Sequence, residues 1–131
     1  MNLVLISTIV AVVLFLVVTA FQAGLASGRP WGEAAYGGLN RQISPQLQKV
    51  STVATVVWLL ATVFVIQCAR EKSLLFISES GVRIVCWVIA GYLALAVAMN
   101  AISRSKLERN IWTPVSAVAL IAVVIVLLKT G

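Results

Sequence analysis

The sequence contains no histidine and only two cysteines in 131 residues. The absence of histidine excludes imidazole ligation of haem or zinc, and it removes the commonest general acid–base group. Two cysteines alone complete neither a zinc site nor an iron–sulfur cluster. We therefore expect no metal, no cofactor and no catalytic residues, and we favour a protein without enzymatic activity of its own.

Charge is also scarce: 11% of the residues are charged, and 61% are hydrophobic. The charged residues leave four apolar runs, each long enough as a helix to cross a hydrocarbon core of about 30 Å. These runs are Leu3–Phe21, Val50–Ala69, Ile84–Ile102 and Ile111–Leu128. The pattern predicts an all-α polytopic membrane protein, a single domain over residues 1–131 built as a bundle of four transmembrane helices.

The basic residues predict how this bundle is oriented. Four spans put the first and third connections on one side of the membrane, and both termini and the second connection on the other. Six Lys or Arg residues belong to the first side, namely Arg29, Arg41, Lys49, Arg104, Lys106 and Arg109, and four belong to the second, namely Arg70, Lys72, Arg83 and Lys129. The positive-inside rule then favours cytoplasmic first and third connections, which a reporter enzyme fused to either terminus would test. Although the net charge is +6, no nucleic-acid partner is expected, because these residues flank spans and meet anionic headgroups.

The first connection, from Gly24 to Lys49, carries signals of local structure. Pro30 suits the start of a helix, Glu33 suits its first turn, and two glycines after Tyr36 suit its end. We predict a short interfacial or re-entrant helix over Pro30–Tyr36. The glycines at 28, 32, 37 and 38 either pack this loop onto helix ends or form an anion-binding nest of backbone N–H groups.

The helix-start signals before the second and fourth spans are alike. Ser44-Pro45 and Thr113-Pro114 each place a proline in or near the first turn, where its missing N–H matters least. In span two, a row of more polar residues falls on one helical face and should face protein or a cavity. The row is Ser51, Thr55, Trp58 and Thr62.

Span three carries alanines at 90, 94 and 98, a spacing that permits close helix–helix approach within the bundle or between copies. Asn100, near its end, either lines a polar pathway or hydrogen-bonds a neighbouring helix. The preceding apolar segment Leu74–Ile77 is too short to span and is predicted to lie along the headgroups.

A polar vestibule is predicted where the first and third connections meet. It would comprise Arg29, Glu33, Tyr36, Arg41, Asn100, Ser103, Arg104, Glu108 and Arg109. One interpretation is a site for an anionic small molecule or headgroup, with arginine as the bidentate donor. The alternative is purely structural, with salt bridges from Glu33 and Glu108 to these arginines tying the two connections together.

Two motifs carry a family resemblance. The run Gly28-Arg29-Pro30-Trp31-Gly32 in the first connection, paired with Asn100-x-x-Ser103-x-Ser105-x-x-Glu108-Arg109 and Pro114, resembles a family of small, functionally uncharacterised bacterial membrane proteins with four helices. The resemblance implies a multi-pass protein of the bacterial cytoplasmic (inner) membrane. It implies no activity, substrate or cofactor.

These observations favour an accessory or interaction protein, or a module that binds a small ligand or lipid. The alternative is a small oligomeric transporter or channel for a solute or ion. The expected partners are membrane lipids, and either a second copy or another membrane protein. A membrane thiol oxidoreductase using Cys68 and Cys86 is the least favoured class, because a cysteine in a span is usually a small apolar filler and no CxxC motif is present.

Overall fold

A computed structural model describes residues 2–70 and 77–131, and within them the chain forms four long α-helices. A five-residue π-helical segment, Glu108–Trp112, leads directly into the last of these. The helices are α1 Leu3–Ala26, α2 Pro45–Arg70, α3 Glu79–Ala101 and α4 Thr113–Lys129. In the described residues all four, the last counted from Glu108, are long and apolar enough to cross a membrane. The predicted bundle of four membrane-spanning helices is confirmed.

Each helix buries a narrow stripe and leaves an apolar outer face. In α1 the stripe falls at every fourth residue, and it comprises Ser7, Ala11, Phe15 and Thr19. The outward side chains are equally apolar, as Leu16 at 46% exposure and Val88 at 66% illustrate. A helix that is hydrophobic all round suits lipid and not water, which agrees with four spans.

Buried core side chains lie in the half of the bundle toward the second connection. α1 packs between α2 and α4, and α3 packs mainly against α4. The core of this half contains Val65, Cys68, Val82, Cys86 and Val126, all buried. The opposite half, beneath the first and third connections, holds the cavity described below.

The predicted beginning and polar face of α2 are both confirmed. The backbone N–H of Leu47 donates to Ser44 Oγ at 3.3 Å, so Ser44 caps a helix that begins at Pro45. In the polar row of this helix, Ser51 and Thr62 are buried, and Thr55 and Trp58 are half-buried. The row therefore faces the bundle.

The first connection differs in detail from the continuous helix predicted over Pro30–Tyr36. It forms two 3-10 turns, Gly32–Ala34 and Tyr36–Gly38, separated by Ala35 in an extended conformation. The break arises because the second turn requires a left-handed backbone at three successive residues, Tyr36 to Gly38, whose φ angles are 49°, 80° and 72°. Two of the three are glycines, which adopt this conformation without a Cβ clash.

The alanine row on α3 is not an internal seam. Ala90 is buried, but Ala94 and Ala98 face outward. Gly91 beside them has open space where a Cβ would lie. That this row forms a contact between two copies stays a prediction. The segment Leu74–Ile77, which was predicted to lie along the headgroups, lies outside the described residues apart from Ile77.

The fourth span begins earlier than the Trp112–Pro114 region that the sequence indicated. Helical backbone starts at Lys106 and widens into the π-helical segment, in which the N–H of Thr113 donates to the carbonyl of Glu108. Pro114 therefore lies inside a continuous helix, where it has no N–H to offer the preceding turn. A π-helical turn is one way in which a helix absorbs such an interruption, and such turns are frequent at functional sites.

A candidate ligand cavity beneath the first and third connections

Hydrogen bonds join the first connection to the third, so the two polar turns are neighbours as predicted. The N–H of Gly37 donates to Glu108 Oε1 at 2.5 Å. The indole N–H of Trp112 donates to the carbonyl of Ala34 at 2.9 Å. A hydrogen bond to a charged acceptor contributes about 1.5–3 kcal/mol, so the Glu108 contact is an anchor for the loop. In the described residues Glu108 forms no ion pair with an arginine, so hydrogen bonds link the two connections instead of the salt bridges considered above.

The hydrogen bonds around Ser105 explain why the Glu108 carboxylate can bind the first connection. Ser105 Oγ accepts the N–H of Glu108 at 3.2 Å, which is half of a capping box at the start of the last helix. In a complete capping box the Glu side chain would return to the N–H of Ser105. That N–H is instead bound by Ser103 Oγ at 3.1 Å, and the Ser105 hydroxyl itself donates to the carbonyl of Glu33. The Glu108 carboxylate is thereby released toward Gly37 and the bundle interior.

Aromatic rings close the end of the bundle. Phe21 stacks on Trp31 with ring centroids 6.0 Å apart, and its centroid lies 4.7 Å from that of Trp112. Trp31 fits only because Gly24 has no side chain, since a Cβ there would lie 1.9 Å from the indole ring. Arg29 lies over the outer face of the same indole, 6.0 Å from its centroid. Arg29 therefore lies outside the layer of aromatic rings that closes this end of the bundle.

Tyr36 has a backbone conformation that is unfavourable for a non-glycine residue. Its φ of 49° is left-handed, which costs roughly 1–2 kcal/mol. Its hydroxyl bonds Ser51 Oγ at 2.8 Å, and Ser51 is fully buried. Backbone strain that the surrounding structure maintains is typical of functional sites.

Below these loops the four helices enclose a cavity of about 160 Å³. Six of its lining residues are aromatic, and they come from α1, the first connection, α2, α3 and the π-helical segment. They are Phe15, Phe21, Tyr36, Trp58, Tyr92 and Trp112. Phe15 and Trp58 meet edge to face at 5.1 Å, and Trp58 and Tyr92 do so at 5.9 Å.

Four polar side chains also line this cavity. Gln22 Oε1 is buried and has no hydrogen-bond partner in the described part of the chain. Asn100 Nδ2 lies 3.4 Å from Ser116 Oγ, a long and weak contact. Glu108 is the charged residue among the described lining residues, and no arginine or lysine joins it there. The cavity thus presents hydrogen-bond acceptors and one negative charge.

A second depression, which we call the outer groove, adjoins the cavity beside α3. Its volume is about 660 Å³, and Tyr36, Tyr92, Ala96, Asn100 and Glu108 line both spaces. The outer groove also has residues of its own, namely Gly37, Leu39, Met99, Ser103 and Arg104. Leu39 and Met99 are 79% and 60% exposed, so its rim is open to the bilayer.

The nine predicted vestibule residues divide into three groups. Three line the cavity, namely Tyr36, Asn100 and Glu108, and two line only the outer groove, namely Ser103 and Arg104. The other four, Arg29, Glu33, Arg41 and Arg109, line neither space. Arg109 Nη1 instead donates to the carbonyl of Ser103 at 2.5 Å.

The glycine nest considered for the first connection is not formed, because the N–H groups already have partners within the chain. Gly28 donates to the carbonyl of Leu25 at 3.1 Å, and Gly38 donates to that of Ala35 at 2.8 Å. The N–H of Gly32 is likewise bound by a carbonyl, at 2.8 Å. These glycines pack the loop and do not present an anion site.

The two cysteines lie in the half of the bundle toward the second connection. Cys68 and Cys86 are both buried and are not joined by a disulfide. Arg83 Nη1 lies 3.9 Å from Cys68 Sγ, and Arg83 Nη2 donates to the carbonyl of Leu127 at 2.6 Å. The guanidinium therefore caps the C-terminal end of α4, where a cation suits the helix dipole.

Fold and cavity together define a small polytopic α-helical membrane protein with a cavity beneath its first and third connections. No protein-family model matches the chain, and no curated protein or solved structure matches it significantly. The resemblance drawn from the two loop motifs therefore stays a prediction.

Proposed function

We propose that this protein is a membrane-embedded binding module for a small amphipathic ligand or lipid, without catalytic activity of its own. The observation that carries the proposal is Gln22, which lines the cavity and whose buried Oε1 has no hydrogen-bond partner among the described residues. A buried acceptor left unpaired costs about 1–3 kcal/mol. A ligand that donates a hydrogen bond there recovers that cost.

The size of the cavity supports a small ligand or the end of a larger one. An apolar cavity of about 150 Å³ accommodates benzene. The 160 Å³ space is comparable, and it shares five lining residues with the outer groove. A ligand with a compact polar end in the cavity and an apolar remainder in the groove fits both spaces.

The packing of the bundle favours binding over conduction through one chain. In the half toward the second connection the described core side chains of Val65, Val82 and Val126 are buried. The hydroxyls of Thr55 and Thr62 each donate to a carbonyl of their own helix at 2.8 Å. Each hydroxyl therefore uses its single donor within its own helix. A transporter made of several copies, using the outward alanine row on α3, is the alternative proposal.

Lipids are the proposed partners, and the orientation inferred from the basic residues places the cavity in the cytoplasmic leaflet. The inner membrane is the proposed location. Native mass spectrometry of protein released directly from its own membranes should show a bound small molecule or lipid. Protein that is uniformly empty under these conditions would count against a binding function.

The change Gln22→Leu tests the site through stability. We expect the free energy of unfolding of the ligand-free protein to rise by about 1 kcal/mol, because an unpaired buried acceptor is removed. Unfolding in dodecyl sulfate mixed micelles measures it. Gln46→Leu on the exposed start of α2 is the matched control, with a change expected within about 0.5 kcal/mol. If Gln22→Leu lowers stability instead, Gln22 has a structural role and the proposal loses its main support.

A further inference from the structure

We infer that the ligand is a zwitterionic aminophospholipid, whose primary ammonium occupies the cavity and whose phosphate lies in the outer groove. This inference rests on the proposed binding function and names the ligand class. It follows from the order of the charged and apolar groups along the two connected spaces.

The charges change sign from the cavity to the groove. Glu108 lines both spaces, whereas Arg104, four residues earlier, lines only the outer groove. A phosphoethanolamine headgroup has its ammonium and its phosphate separated by two carbons. Entering from the groove, such a headgroup directs its ammonium toward Glu108 and leaves its phosphate beside Arg104.

The inner space suits a primary ammonium in particular. Aromatic rings attract cations over their faces, most strongly when water is excluded, and Trp58, Tyr92 and Trp112 are among the lining residues. A primary ammonium also carries three N–H donors. The Glu108 carboxylate and Gln22 Oε1 are acceptors that such donors satisfy. A choline headgroup has no N–H, so it would leave Gln22 unpaired.

The outer groove suits the phosphate and the glycerol backbone. The Arg104 guanidinium can bind a phosphate with two parallel N–H donors. Leu39 and Met99 on the rim are exposed toward lipid, so the acyl chains remain in the bilayer. An anionic headgroup without an amine would bring its phosphate to Arg104 but would place no cation against Glu108.

The test uses three water-soluble lipids titrated against the purified full-length chain in maltoside micelles. The probes are dihexanoyl-phosphatidylethanolamine, dihexanoyl-phosphatidylcholine and dihexanoyl-phosphatidylglycerol. Binding is followed by tryptophan fluorescence, because Trp58 and Trp112 line the cavity. We expect the ethanolamine lipid to bind at least tenfold more tightly than either of the others. Equal affinity for the glycerol lipid would overturn the inference.

Two variants separate the roles of the two charges. Glu108→Gln keeps an acceptor for the N–H of Gly37 and removes only the charge. We expect it to weaken binding of the ethanolamine lipid about tenfold and to abolish discrimination against the glycerol lipid. Arg104→Gln should weaken binding of the ethanolamine lipid and of the glycerol lipid by a similar factor. Lys106→Gln, at an exposed residue that lines neither space, is the control and should change neither.

The failure of the ligand assignment can be distinguished from the failure of the binding function. An ethanolamine affinity unchanged by Glu108→Gln overturns the aminophospholipid assignment alone. So does a different molecule in the native mass spectrum of the wild-type protein. An empty mass spectrum together with no response to any of the three lipids overturns both proposals.

Discussion

Replacement of Gly32 by alanine is expected to disrupt the first connection and to lower the free energy of unfolding by about 3 kcal/mol. Gly32 is buried, and a Cβ there would lie 2.0 Å from the carbonyl oxygen of Asn40 and 2.7 Å from that of Arg41. The same residue donates its N–H to Arg41 at 2.8 Å. Both obstacles are backbone, so no side-chain rotation relieves the clash, and the loop must separate.

Gly37→Ala is the matched control in the same loop. A Cβ at Gly37 meets nothing within 4 Å, and only its φ of 80° is unfavourable for alanine. We expect a loss of about 1–2 kcal/mol. Unfolding of both variants in dodecyl sulfate mixed micelles measures the difference. If both glycines tolerate alanine equally well, Gly32 does not pack closely against the backbone of residues 40 and 41.

Replacement of Phe15 by alanine should be the most damaging change in the bundle itself, with a loss of about 3–5 kcal/mol. Phe15 is 1% exposed, forms part of the cavity wall, and packs edge to face on Trp58. Truncation enlarges the cavity and removes that ring contact. The same micelle unfolding assay measures the effect.

Leu16→Ala, at the next residue, is the control for Phe15. Leu16 is 46% exposed on the outer face of α1, so truncating its side chain removes mainly contacts with lipid and costs little. We expect a loss below about 1 kcal/mol. A loss as large as that of Phe15→Ala would mean that α1 is rotated relative to the structure described above.

The spans were predictable from sequence because charge is excluded from hydrocarbon, but their ends were not. The sequence indicates that the first span ends at Phe21, whereas α1 continues to Ala26. Apart from Leu25 the extra residues are polar or small, so the apolar run in the sequence ends before them. As a result Gln22, whose buried oxygen carries the functional proposal, was not among the predicted site residues.

One missed feature did have a local signal. Ser105-Lys106-Leu107-Glu108 has the spacing of a capping box, which marks a helix start at Ser105. That start would have placed Glu108 in the first turn of the last helix. The diversion of its carboxylate to Gly37 could not be predicted, because it depends on Ser103 binding the N–H of Ser105.

The aromatic wall had no signal in any single segment. Phe15, Trp58 and Tyr92 lie on three different helices, and each is ordinary in a membrane span. Only helix packing brings them together. The predicted polar row on α2 did place Trp58 on the inward face. Helical periodicity alone assigns the face of one helix and not the rings that meet it from other helices.

The most direct test of the central claim is disulfide cross-linking between the first and third connections in intact membranes. The variant carries Gly38→Cys and Ser105→Cys in a background with Cys68→Ala and Cys86→Ala. A Cβ at residue 38 would lie 2.8 Å from that of Ser105 and 2.8 Å from the carbonyl oxygen of Glu33. Because the Cβ atoms of a disulfide are about 3.5–4.5 Å apart, the first connection must shift by about 1 Å, after which the two thiols are close enough to oxidise. After mild oxidation we expect no free thiol to take up a polyethylene-glycol maleimide.

A control variant pairs Gly38→Cys with Ile77→Cys, which lies just before α3 at the opposite end of the bundle. Both of its thiols should stay free and add two maleimide groups. If the Gly38→Cys and Ser105→Cys pair also stays fully reduced and adds two groups, the first and third connections do not meet. The cavity they enclose would then not exist as described.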